Sequence, residues 1–260
     1  MKRIGLTAAL ALAAATAHAG GDKVAFPANY DKGVLYATVD RHDIKQFREL
    51  WSTPAAVEAA KAGKPAPSGT VLTLVQYKAK VDGKGAPVKD AKGRFQKGDL
   101  VAYTVMEKRA GWGTEYAADL RNGEWEYQVF GPNKAVNDKA NLKSCFQCHK
   151  PHAGQDYVIS LASLGGKAAG GAVAAQAGPD RVAIASFLFG PEKLSVRNNQ
   201  YVTWTNTDDS PHQVTIAGEA GTRTAVMLKG QSQTLKFTAP GTYDYICGLH
   251  PGMKGKVEVQ

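Results

Sequence analysis

The run from Leu164 to Asp180, LGGKAAGGAVAAQAGPD, is built mainly of glycine and alanine. Side chains that small bury too little apolar area to offset the entropy of ordering them, so the run reads as a linker. A chain of 260 residues interrupted there is expected to fold as two units with separate cores, residues 20–163 and 181–260, joined by the linker 164–180. As a flexible coil, about 17 residues span roughly 21–25 Å. The expectation is therefore of two domains tethered at an effective concentration on the order of millimolar, meeting repeatedly without a stable interface.

Residues 1–19, MKRIGLTAALALAAATAHA, place Lys2 and Arg3 before an apolar run that ends in Ala17-His18-Ala19. This is the pattern of a secretory signal peptide cut before Gly20, and it predicts export, most simply to a bacterial periplasm. No later stretch approaches the ~20 apolar residues of a spanning helix, so no membrane span is expected. The formal charge is +9, but lysines and arginines are interleaved with acids and form no basic block. That argues against nucleic-acid binding and for a solvated surface suited to acidic partners. Three cysteines are too few for a disulfide scaffold: Cys145 and Cys148 form one tight group, and Cys247 needs a role of its own.

Beyond the linker, RVAIASFLF, EKLSVRNNQYVTWTN, HQVTIA, SQTLKFT, TYDYIC and KGKVEVQ are short β-branched and aromatic runs divided by turn residues, which predicts an all-β Greek-key sandwich. The first part is mixed. GTVLTLVQYKAKV, GDLVAYTVMEK and GEWEYQVF read as strands. DRHDIKQFRELWS, with Ile44, Phe47 and Leu50/Trp51 at spacings of three and four, reads as a helix, as does PAAVEAAKAG after Thr53. The expected class there is α+β, an antiparallel sheet with helices.

SCFQCHKPH sets Cys145 and Cys148 two residues apart with His149 adjoining. Two thiols at that separation can add to the vinyl groups of one haem while the histidine ligates its iron, giving one covalent haem c. A redox dithiol does not need the histidine. Zinc would crowd Cys145, Cys148, His149 and His152 into eight residues, where structural sites draw on two separated pairs. For the opposite face of the iron, His42 sits among charges, His152 is too near His149 and Met106 reads as a core residue, so a five-coordinate haem open to a small molecule is expected.

Over most of residues 27 to 165, SGTVLTLVQYKAK, KGDLVAYTVMEK, GWGTEY and the late CFQCHKPHAGQDYVISL resemble the cytochrome P-460 superfamily, which includes the beta-type cytochromes c-prime. The resemblance implies a largely β, often homodimeric domain with haem on Cys145 and Cys148, His149 as proximal ligand and an open distal side. Catalytic members oxidise hydroxylamine and join a lysine to the haem edge. Counting from the GTV landmark at Gly69, the matching position here is Leu74, which implies an apolar distal pocket suited to small gases. Lys78 and Lys80 share its side in a regular strand and read as solvated.

In the last part, His212 in DDSPHQVTI and Cys247, His250 and Met253 in CGLHPGM supply two imidazoles, a thiolate and a thioether, the donor set of one type 1 copper. Zinc has little use for the methionine. This part resembles cupredoxins of the plastocyanin, pseudoazurin and amicyanin group, and its short loop is most similar to amicyanin's. Leu249, Pro251 and Gly252 beside His250 would form an apolar collar where a periplasmic redox partner protein docks. The combined expectation is a haem and copper redox protein acting on hydroxylamine, NO or peroxide. The alternatives are an NO-sequestering protein and a pure electron relay.

Overall fold

The computed structural model describes residues 23–118, 120–166, 180–218 and 222–260. The expected signal peptide and nearly all of the expected linker lie outside the described residues. No helix among the described residues is long and apolar enough to cross a membrane.

The first domain is a five-stranded antiparallel meander, β1 (Val34–Arg41), β2 (Gln46–Ser52), β3 (Val71–Ala79), β4 (Lys97–Lys108) and β5 (Trp125–Phe130), with strands in sequence order. Three α-helices accompany it among the described residues: α1 (Pro54–Lys61), α2 (Leu142–His149) and α3 (Leu161–Leu164). One sheet face buries Val75, Tyr103, Val105 and Phe130 with Val24. The other carries Leu72, Met106, Trp125 and Tyr127 against Ala56, Phe146, Val158 and Leu164. Leu164, placed in the linker on composition, is only 1% exposed and belongs to this core.

The helix expected over Asp40–Ser52 is instead the end of β1, a turn and β2. Its apparent three-and-four spacing fails because Ile44 is exposed in the turn, where Lys45 takes φ 49°, and contributes to no buried stripe. From Gln46 onward the relevant period is two. Phe47 packs with Ala79 and Phe95 on one face, while Arg48 and Leu50 face the opposite way, into a cavity. Cross-strand partners on both sides decide the conformation: Leu50 lies between Ala37 of β1 and Leu74 of β3. The second expected helix is present as α1, with Pro54 in its first turn after Thr53.

The second domain is a sandwich of two four-stranded sheets. One has the order β10 (Val214–Ile216), β12 (Gly241–Cys247), β13 (Lys254–Val259), β8 (Lys193–Val196). The other has the order β11 (Ser232–Lys236), β9 (Tyr201–Asn206), β6 (Arg181–Ala185), β7 (Leu188–Gly190). Alternation decides which side chains enter the core: Val202 and Trp204 of β9, Tyr245 and Cys247 of β12, and Val257 and Val259 of β13. Trp204 stacks edge-on to Tyr245 at 5.4 Å.

The domains touch, contrary to the expectation of a tether without an interface. Val39 of β1 packs on the second core, the Arg41 guanidinium lies 3.9 Å from the centre of the Phe187 ring, and Ser163 Oγ donates to Asp209 at 3.3 Å.

Truncating the fully buried Trp204 to alanine should destabilise the second domain by about 3–5 kcal/mol. Urea unfolding of the full chain would show it as a separate early transition.

Candidate metal centres

Residues 212, 247 and 250 converge because β10 and β12 are paired, with Val214 opposite Cys247, and a short loop returns from Cys247 to β13. The loop is closed by its own backbone: Cys247 N–H donates to the Met253 carbonyl and Met253 N–H to the His250 carbonyl. His212 Nδ1 and His250 Nδ1 lie 3.3 Å apart, and each is 3.6 Å from Cys247 Sγ. A point equidistant from the three donors lies about 2.0 Å from each, the length of a metal–imidazole bond. This triangle fits a single metal ion. Met253 is buried at 1% exposure in the same loop.

The electrostatics also suit a cation. Burial alone would push the Cys247 thiol up, but hydrogen bonds from His212, His250 and the Gln213 N–H outweigh it and bring it down to about 5. The thiolate is thus the resting form, as metal binding requires. Burial would likewise lower His212, yet its bonds to Asp208 and Cys247 raise it.

Asp208 was not expected from the sequence. Its carboxylate accepts from His212 Nε2 at 3.0 Å, which leaves Nδ1 toward the other donors. The same carboxylate accepts the N–H groups of Ser186 and Phe187 at 2.6 and 2.9 Å. Those two residues form the β6–β7 turn with φ 52° and 58°, a left-handed conformation that costs non-glycine residues roughly 1–2 kcal/mol each. The turn aims the Phe187 ring at both imidazoles, 5.3 Å from His212 and 5.0 Å from His250.

In the first domain, α2 sets Cys145 and Cys148 one turn apart, on neighbouring positions of the helix surface, and ends at His149. His149 Nδ1 donates to the Tyr157 carbonyl at 2.7 Å, so Nε2 is free to ligate. Burial lowers His149 to about 4 and keeps the imidazole neutral. Burial, with Cys148 nearby, pushes the Cys145 thiol up to about 11. That is opposite to the lowered thiol of a reactive dithiol. Among the described residues, only His212, Cys247 and His250 gather for a metal ion, and the first motif with His152 does not.

His149 lines a cleft of about 190 Å³. Leu50, Leu72, Leu74 and Val39 line it as well, so the expected Leu74 shares the cavity of His149. Met106 is also in the wall, and its partner Tyr127 stands 5.0 Å from the His149 ring. His152 is buried without lining the cleft, and His42 lies in the β1–β2 turn against Phe95. Lys78 and Lys80 are exposed, and irregular pairing near Tyr77 breaks the alternation that linked them to Leu74.

The cleft holds one arginine, Arg48, whose hydrogen bonds go to the side-chain amides of Gln46 and Gln76. Burial and nearby Arg41 lower it to about 9, so it stays cationic at neutral pH. A partly buried cation bonded to neutral amides suits a haem carboxylate, and with the thiols, the free His149 Nε2 and the apolar walls the residues fit haem.

Two family models match: Cytochrome P460 over residues 27–160, and the copper binding proteins of the plastocyanin/azurin family over residues 179–260. The chain belongs to the cytochrome P460 family and, in its last part, to the plastocyanin/azurin family. Amicyanin-alpha of Methylorubrum extorquens is 44% identical over 90 residues, 33% of this chain and 76% of that protein. Amicyanin of Paracoccus denitrificans is 41% identical over 83 residues, 30% of this chain and 63% of that protein. Among solved structures, a reduced Cu(I) form of an amicyanin mutant aligns with 39% identity and a TM-score of 0.31, covering 32% of this chain and 84% of that one. This cytochrome P460 with a plastocyanin/azurin-type domain is therefore a haem and copper redox protein.

Sequence reasoning missed the groups that orient both histidines. Beside His149 these are Asp156 and Tyr157, with φ 52° and 59°. Asp156 accepts from Lys108 Nζ at 2.9 Å and from the Ala66 N–H at 2.8 Å, which fixes the turn that presents the Tyr157 carbonyl. The only signal was local: an aspartate eight residues past Cys148 and another four before His212.

Replacing Asp208 by asparagine should weaken copper binding about 10–100-fold, as loss of an orienting carboxylate does. Competition with a calibrated chelator measures it.

Proposed function

We propose that this chain is an exported two-centre redox protein. Haem is attached through Cys145 and Cys148 and ligated by His149, one type 1 copper is held by His212, Cys247, His250 and Met253, and a small nitrogen or oxygen species reacts at the open haem face. When bound, haem supplies an iron that ligates such a species and changes charge by one electron. The copper donors suit one-electron exchange with little rearrangement, because the fold fixes them before the metal enters.

One observation carries the reading. A single cleft has His149 in one wall and a residue of the copper domain, Phe187, in another. Leu50 and Leu74 keep the cleft apolar and favour small uncharged molecules such as NO or hydroxylamine, while neutral His149 is ready to ligate. Leu74 is apolar, which favours binding or redox exchange of a diatomic over chemistry that needs a cross-linked lysine.

An optical spectrum of the purified, metal-loaded chain tests this. Expected are c-type haem bands that survive acid-acetone extraction, a strong thiolate-to-copper band, and uptake of CO by the reduced haem without displacement of a protein ligand. Extractable haem, or a reduced haem that refuses CO, overturns the covalent open-site reading. Leu74→Phe should fill the cleft and weaken CO uptake while leaving the copper band unchanged, which a CO titration followed at both bands would check.

A further inference from the structure

The apolar collar around His250 was expected to receive an external partner, yet part of it is already occupied. Gly252 is pressed against the β1–β2 turn of the haem domain: a Cβ there would lie 2.7 Å from the Asp43 carbonyl oxygen. Asp43 is held in turn by Arg41, whose Nε and a terminal nitrogen donate to its two carboxylate oxygens at 2.8 and 2.6 Å. The Arg41 guanidinium then covers the Phe187 ring at 3.9 Å. Both members of the ion pair have side chains no more than 10% exposed, so this is a packed contact and not a surface encounter.

Phe187 stands at the centre of this contact. One ring touches both imidazole donors of the copper triangle, lies under Arg41, and lines the cleft that contains His149. Its turn is left-handed and clamped by Asp208, so its position is imposed by the fold. The ring is also part of the second core, 5% exposed in the same cluster as Trp204, Phe189 and Tyr245.

We propose that the β1–β2 turn of the haem domain is the resident docking partner of the copper domain, and that Phe187 is the positioning residue coupling the copper donors to the haem cleft. The proposal rests on the two-centre reading above. The step carries a single electron, oxidising one centre and reducing the other, with no bond made or broken and no proton moved. Electrons then leave or enter the pair through whatever reacts at the haem face or reaches the exposed Leu249 side of the copper loop.

The test uses the full chain loaded with haem and copper, as wild type, Phe187→Leu and Gly252→Val. A pulse of photoreduced flavin reduces one centre, and equilibration is followed at the haem and copper bands. Hydrogen exchange is measured at the amides of residues 41–47 in loaded and metal-free chains. Expected are a wild-type equilibration rate independent of protein concentration, slowed by an order of magnitude in Phe187→Leu with both the haem and the copper bands retained, and faster exchange of the turn in Gly252→Val. A concentration-dependent wild-type rate, a Phe187→Leu rate within a factor of two of wild type, or turn exchange unaffected in Gly252→Val overturns the proposal while leaving the two-centre reading intact. Absence of either band in the wild type overturns that reading, and the coupling with it.

Discussion

Much of the arrangement hangs on the hydrogen bonds of one carboxylate. Asp208 holds His212 by its outer nitrogen and, with the same two oxygens, pins the backbone of the β6–β7 turn. The turn is intrinsically unfavourable for serine and phenylalanine, so without those bonds the chain would relax toward ordinary backbone and withdraw the Phe187 ring. The carboxylate therefore decides three things together: which imidazole nitrogen meets the metal, where the aromatic ring lies, and what shape one wall of the haem cleft takes.

The haem domain uses the same device in a different fold. Asp156, itself left-handed, is anchored by Lys108 and by the Ala66 N–H, with Trp125 Nε1 3.4 Å away, and the following carbonyl, that of Tyr157, fixes His149. In each case an acidic side chain holds a left-handed pair of residues near the ligand histidine, and the cost of the turn is met by charge-assisted hydrogen bonds. Rigid ligands reached this way suit centres that change oxidation state without changing shape.

What could be read from the sequence follows from how local each signal is. Cys145, Cys148 and His149 are contiguous, and Cys247, His250 and Met253 share one loop, so spacing alone exposed them. The strands of the copper domain were also plain, because one face of each enters a core and alternation survives, as at Val202 and Trp204. The stretch from Asp40 to Ser52 misled because Ile44, Phe47 and Leu50 happen to be spaced like a helix face, while the pairing of Leu50 with Ala37 and Leu74 is set by residues far along the chain. Asp208, Asp156 and Phe187 were silent for a related reason. Nothing marks an aspartate as an orienting group until the turn it holds and the histidine it meets are in place. The contact between domains was equally hidden, since a glycine and alanine run says how far two bodies can separate and nothing about whether their surfaces match.

The position of β13 imposes an order on assembly. This strand, Lys254–Val259, lies inside its sheet between β12 and β8, antiparallel to one and parallel to the other. The copper sandwich stays open along its middle until these residues are available, and the loop bearing Cys247, His250 and Met253 is tensioned only when they add. Among the described residues, the core of the other domain is complete by Leu164. As the chain emerges, the body containing His149 can consolidate first and offer a finished surface on which the second body closes.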